Sequence, residues 1–346
     1  MKAVIYHEPG AISWDEVPTP TILDDTDAIV RVDTVTICGT DLHIWKGDLP
    51  EVASGRVLGH EAVGTVESVG AGVKVVRPGD RVLVSCITSC GACAYCRQGH
   101  FGLCTGGGGW ILGHLIDGTQ AEYVRVPFAD TSTYVLPAAM RDEEAVMLAD
   151  LLPTGYEVGV LNGHVAPGST VAVVGAGPIG LSSILGARLY SPSLVIAIDL
   201  AQSRLEAAKR FGADVIVNNG TEDALEVVRA ATEGLGVDVA IEAVGVPATF
   251  ELAAQLVRPG GHVANVGVHG KPATLHLEDL WAKDVTITTG LVDTTAIPTL
   301  LRLVGAQTID ASQFVTHRFE FGEFMTAYDV FHRAAETQAL KVVLTP

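Results

Sequence analysis

The chain has 346 residues, enough for two domains, and its 48% hydrophobic content supports sizeable cores, which excludes an intrinsically disordered protein. Forty acidic residues against 22 basic ones give a net charge of −18, which opposes phosphate backbones and anionic lipid and argues against nucleic-acid and membrane partners. No uncharged run reaches the ~18 apolar residues of a membrane span, and the first residues lack the apolar core of a signal peptide, so a cytoplasmic protein is expected.

From the N-terminus, β-branched runs at 3–6, 28–37, 56–58 and 62–69 read as strands punctuated by Gly and Pro, as in a barrel-like all-β unit. Cys38 ends one such run in Cys38-Gly39-Thr40-Asp41-Leu42-His43 and is a candidate zinc ligand, or a buried small hydrophobe. His60, in Gly59-His60-Glu61, is a candidate ligand or a satisfied core histidine. Five of the six cysteines lie between positions 86 and 104. Cys90, Cys93, Cys96 and Cys104, spaced x2, x2 and x7, suit a closed tetrahedral zinc site, with an iron–sulfur cluster as the main rival and a redox pair behind it. Gly91, Gly99 and Gly102 supply turns for that lobe. Such a site has no open position and carries no catalysis; Cys86 is left to packing. A four-glycine run, 106–109, leads to Trp110, which either caps a core edge or walls a substrate pocket. Asp150 sits in an apolar stretch, where a carboxylate needs a partner: a helix cap or a metal.

The run 171–174 is a buried strand, followed by Gly175-Ala176-Gly177-Pro178-Ile179-Gly180, a G-x-G-x-x-G turn into a helix opened by Pro178. Gly175 permits the tight turn, Gly177 lets a pyrophosphate approach the backbone, and Gly180 lets the helix pack closely. Nineteen residues past Gly180, the strand 194–198 ends in Asp199, where a ribose 2′-OH needs an acceptor. Helices at 201–211, 223–231 and 248–256 alternate with strands at 215–217, 237–241 and 262–266, which specifies a helix-covered parallel sheet. A strand at 285–289, a helix near 299–303 and a terminal strand at 340–344 complete the chain. The last of these is placed to return to the first domain.

Taken together in this order, these motifs resemble the zinc-dependent medium-chain alcohol dehydrogenases across essentially the whole chain. The resemblance implies an α/β architecture: a GroES-like β-rich catalytic domain, residues 1–152 and 295–346 with a zinc lobe at about 86–110, around a Rossmann NAD-binding domain, 153–294. It implies two zinc ions per chain. Cys38, His60 and Asp150 match the catalytic ligands, and the four-cysteine lobe matches the structural site. Glu61 matches an outer or alternate ligand, and Thr40 and His43 match a proton relay ending in solvent. Aspartate at the third ligand position and Trp110 resemble bacterial secondary-alcohol dehydrogenases; those commonly lack the lobe and often use NADP. The Cys38–His43 motif also resembles threonine and polyol dehydrogenases. Thr154, Val244, Gly267, Val268, His269 and Leu291 match nicotinamide-side positions, Ala176 to Ile179 the pyrophosphate, Arg204 the adenine side, and Lys341 a pyrophosphate-contacting lysine. Asp199 would repel a 2′-phosphate and so favours NAD(H) over NADP(H). The expected partner is a small alcohol or ketone, and the expected assembly a homo-oligomer, tetramer before dimer. A zinc-free quinone-reductase-like relative and a non-catalytic nucleotide sensor are the alternatives that these residues disfavour.

Overall fold

In the computed structural model, which describes residues 1–346, the chain divides into two units, Met1–Asp150 with Val292–Pro346, and Leu151–Leu291. These bounds lie two and three residues from the expected boundaries. No helix is long and apolar enough to cross a membrane.

The first unit is built from both ends of the sequence. Its main sheet has seven strands. Val315–Glu320, Lys341–Thr345, Ala28–Thr36, Ala62–Val69, Arg81–Val84 and Thr133–Val135 follow one another in space, and Tyr123–Val126 also pairs with Ala28–Thr36. The terminal strand runs antiparallel to Ala28–Thr36, with Val343 opposite Thr36 and Leu344 opposite Val35. β-Branched residues alternate inward along these strands, and Val30, Val32, Val82, Val342 and Leu344 meet Phe324 and Tyr328 of the helix Phe324–His332 in one core. A smaller sheet orders Ala11–Glu16, Lys2–Glu8 and Arg56–Val57.

The second unit is a six-stranded parallel sheet ordered Val215–Asn218, Leu194–Asp199, Thr170–Val174, Val237–Glu242, Val257–Asn265 and Thr286–Thr289. Numbered along this unit the order is 3-2-1-4-5-6, the doubly wound arrangement whose switch point lies beside the first strand. The expected helix at 223–231 begins one residue later, because Asp223 is its N-cap and accepts from the N–H groups of Leu225 and Glu226. Before the first strand of the sheet, Thr154–Leu161 forms a π-helical segment. It is pressed against the helix Pro178–Arg188: a Cβ at Gly159 would lie 2.7 Å from Ser183 Oγ.

Candidate metal centre and nucleotide loop

Cys38 caps the helix Gly39–Lys46, and its N–H donates to Asp41 Oδ2 at 2.9 Å. A helix N-terminus favours a thiolate. His60 and Glu61 precede the strand Ala62–Val69, after Gly59 in a left-handed turn (φ 92°), where a Cβ would meet the backbone of Gln120 at 2.8 Å. Asp150 Oδ2 lies 3.4 Å from Cys38 Sγ and 3.6 Å from His60 Nε2. With Glu61, the ligand atoms of all four residues fall within 4.8 Å of one another. Zinc bonds of about 2.0–2.3 Å put tetrahedral ligand atoms roughly 3.3–3.8 Å apart, so Cys38, His60 and Asp150 fit such an ion.

The charges of the cluster argue the same way. Burial, then Asp150, pushes the Cys38 thiol up. Burial likewise raises the Asp41 carboxyl. Burial opposes a charge on His60, but the hydrogen bonds to Asp150 and Cys38 outweigh it and hold the imidazole well above its ordinary value. Burial thus disfavours the ionised thiol and carboxyl, and a divalent cation held among them would restore the charged forms that bind it. Part of the need is met from within: Lys341, 2% exposed, donates from Nζ to Glu61 Oε2 at 2.5 Å and to the Ile37 carbonyl at 3.2 Å. Lys341 is thus the buried counter-ion of Glu61. Glu61 Oε1 is buried without a hydrogen-bond partner.

Behind His60 runs a buried polar chain that sequence reasoning missed. Tyr328 donates from its hydroxyl to Gln120 Oε1 at 2.6 Å, and Gln120 Nε2 donates to Asp41 Oδ2 at 2.9 Å. Asp41 Oδ1 stands 3.7 Å from His60 Nδ1. The one signal for it in the sequence was Asp41 three residues after Cys38, a helix-cap spacing. Cys86, expected only to pack, instead places its Sγ 3.5 Å from Asp150 Oδ1, and burial raises its thiol well above the ordinary value. Thr40 Oγ1 lies 3.8 Å from Cys38 Sγ, while exposed His43 pairs through Nδ1 with Asp48 Oδ2 at 2.8 Å. Trp110 stands edge-on to His60, centroids 6.3 Å apart, and stacks on His114 at 4.2 Å.

In the lobe, Cys90, Cys93, Cys96 and Cys104 bring their sulfurs within 4.8 Å of one another, with Cys90 and Cys96 3.9 Å apart. Backbone N–H groups of Cys90 and Gly106 each approach Cys104 Sγ at 3.4 Å. Gly91 and Gly99 take the left-handed turns, φ 67° and 85°; Gly102 does not, and its N–H instead donates to Asp293 Oδ1 at 2.8 Å. The backbone amides of Cys96 and Thr105 hold Cys93 at about 5, whereas burial pushes Cys96 up to about 12. A cation among these sulfurs would let all four bind as thiolates, as a closed tetrahedral zinc site requires.

In the second unit Gly175 has φ 99°, and a Cβ at Gly180 would collide with the Gly175 carbonyl oxygen, so the third glycine serves the loop itself before the sheet. A Cβ at Gly177 would meet nothing within 4 Å, which leaves the N-terminus of the helix Pro178–Arg188 open to a phosphate. Asp199 Oδ2 accepts from Ala176 N at 2.7 Å and Oδ1 from Ala201 N at 2.8 Å, tying strand end to glycine loop. Arg204 lies on the adjoining helix Gln202–Arg210. Thr154 begins the π-helical segment, and Gly267 abuts Gly245, where a Cβ would meet its Cα at 2.6 Å. Val244, Val268 and Leu291 are exposed, 47%, 67% and 50%, and His269 Nε2 pairs with Asn265 Oδ1 at 2.9 Å. Glu242, fully buried and not anticipated, accepts from Val244 N and Gly245 N, each at 2.8 Å, and shapes this strand end.

Residues 24–137 match the alcohol dehydrogenase GroES-like domain and residues 178–306 the zinc-binding dehydrogenase domain. An alcohol dehydrogenase of Cupriavidus necator is 37% identical over 366 aligned residues, covering 100% of this chain and 99% of that protein. Among solved structures, zinc dependent alcohol dehydrogenase 2 from Streptococcus pneumonia, in its apo form, superimposes with a TM-score of 0.96 at 48% identity over 100% of this chain and 98% of its own. Alcohol dehydrogenase TADH from Thermus sp. ATN1 gives 0.93 at 38% identity, over 100% and 99% of the two chains. A thiol, an imidazole and a carboxylate converging on one point, a four-sulfur lobe and a glycine loop opening a doubly wound sheet are thus joined to whole-length likeness, and the chain belongs to the zinc-dependent medium-chain alcohol dehydrogenases.

Proposed function

We propose that this dehydrogenase transfers hydride between NAD(H) and a secondary or small hydrophobic alcohol or ketone. The observation that carries the substrate class is Trp110 standing 6.3 Å from His60 within the Cys38–His60–Asp150 centre, an aromatic wall beside the ligands. When bound, zinc supplies Lewis acidity toward the substrate oxygen and the nicotinamide accepts or returns the hydride. Cys38, His60 and Asp150 hold the ion, and Trp110 narrows the space beside it and excludes water. Thr40 Oγ would accept the hydroxyl proton as it gives up its own, the inner member of a relay whose outer end is His43. Asp48 occupies His43 Nδ1, which leaves Nε2 to carry that proton to solvent. The decisive comparison is oxidation of 2-propanol and reduction of acetophenone against oxidation of L-threonine and sorbitol. The simple alcohol and ketone should lead in kcat/KM; preference for threonine or sorbitol overturns the substrate class.

The cofactor preference rests on Asp199, whose carboxylate ends the second strand of the nucleotide sheet and repels a 2′-phosphate. Asp199→Asn removes the charge and keeps one of the two oxygens that accept from the Ala176 and Ala201 N–H groups. The ratio of kcat/KM with NADP to that with NAD should rise about tenfold or more, the order of a charged hydrogen bond lost to one cofactor and a repulsion relieved for the other. An unchanged ratio removes Asp199 from the ribose site.

A further inference from the structure

Cys86 belongs neither to the four-sulfur lobe nor to the cluster of Cys38, His60, Glu61 and Asp150. It is 3% exposed, and its main-chain N–H donates to the Ala149 carbonyl at 3.0 Å, one residue before Asp150. That bond fixes its side chain against the carboxylate, and the two oxygens of Asp150 are divided. Oδ2 lies 3.4 Å from Cys38 Sγ and 3.6 Å from His60 Nε2, whereas Oδ1 lies 3.5 Å from Cys86 Sγ. A carboxylate near a cation can bind through one oxygen or through both. A donor on the second oxygen favours the first arrangement, because bidentate binding forfeits that hydrogen bond.

We infer that Cys86 is a positioning residue of the three-residue metal centre: its S–H donates to Asp150 Oδ1, presents Oδ2 alone to the ion, and so keeps a coordination position open for the substrate oxygen. This rests on the reading of Cys38, His60 and Asp150 as the metal ligands. It assigns the sixth cysteine a task that packing alone would leave to any small apolar side chain, and that distinction can be measured. An outer partner of this kind typically changes metal affinity 10- to 100-fold when removed.

The test uses the full chain with zinc in the four-cysteine lobe and Co(II) in the second centre, and compares wild type with Cys86→Ala and Cys86→Ser. In chelator competition, Cys86→Ala should release Co(II) at least about tenfold more readily, and its visible d–d absorption should weaken as Asp150 turns to bind through both oxygens. Cys86→Ser keeps a donor and should restore affinity and spectrum toward wild type. The zinc of the lobe should stay in place in all three proteins, and far-ultraviolet circular dichroism should be unchanged. Wild-type affinity and spectrum in Cys86→Ala overturn the role of Cys86, as does a folded Cys86→Ser that behaves like Cys86→Ala. A wild-type chain that takes up no ion beyond the lobe overturns the metal-centre reading beneath it.

Discussion

A Cys38→Ser variant is expected to lose about 10³-fold in kcat/KM for a secondary alcohol and to retain one zinc ion per chain instead of two. A metal acting as a Lewis acid contributes several kcal/mol to the barrier, and each 1.36 kcal/mol is tenfold in rate. Serine at this place is a neutral hydroxyl at working pH. It cannot replace the thiolate that Cys38 would give the ion, and without the ion the carboxylates of buried Glu61 and half-buried Asp150 are left beside His60 and Lys341 alone. Steady-state kinetics and metal content of the purified variant check both parts. Full turnover, or two ions retained, contradicts the role given to Cys38.

Cys96→Ser should act on stability and leave the chemistry nearly alone. Cys96 is the buried member of the four-sulfur lobe, 6% exposed, and burial pushes its thiol to about 12 when no cation is present. Zinc reverses that preference by binding the thiolate, so the bound ion and the fold of the lobe support each other. Loss of a metal is among the few single changes that cost about 4 kcal/mol or more, which in a unit of this size lowers the melting temperature by roughly 8–16 °C. Turnover of the folded fraction at 25 °C should stay within about threefold, because a site closed by four sulfurs has no position for a substrate. Calorimetry with zinc analysis checks this. An unchanged melting temperature with lost turnover would put catalysis in the lobe.

Local grammar was readable in advance. The cysteine spacing, the glycine loop and the alternation of β-branched strands with helices in the second half each state a structure within a few residues, and each is present in the fold. Two of the strands that escaped notice are half-exposed, whereas Arg81–Val84 escaped because its run is short. Ala11–Glu16 and Val315–Glu320 carry polar residues where a buried strand would carry valines, so hydrophobic periodicity is silent there. The metal trio was visible only through family likeness, since Cys38 and Asp150 are 112 residues apart. Their supporting residues were not visible at all. Tyr328 reaches Gln120 across 208 residues and Cys86 reaches Asp150 across 64, and no spacing rule connects such pairs. Cys86 was set aside because a single buried cysteine is ordinarily a small hydrophobe. The carboxylate beside it is a fact of the folded chain.

The division of the first unit between the two ends of the sequence has a consequence for biosynthesis. Lys341 is bonded to the Ile37 carbonyl across 304 residues, and it is the only cation paired with Glu61. A ribosome adding about 5–20 residues per second takes roughly 15–60 s to cover that interval. Throughout it, the emerging N-terminal half carries thiol, imidazole and carboxylates with neither their lysine nor the strand Lys341–Thr345 that finishes the sheet. The nucleotide unit, contiguous in the chain, has that time to fold first. Final closure of the metal-bearing half, and with it the neutralisation of Glu61, therefore waits until Lys341–Thr345 has been made, long after the residues it completes.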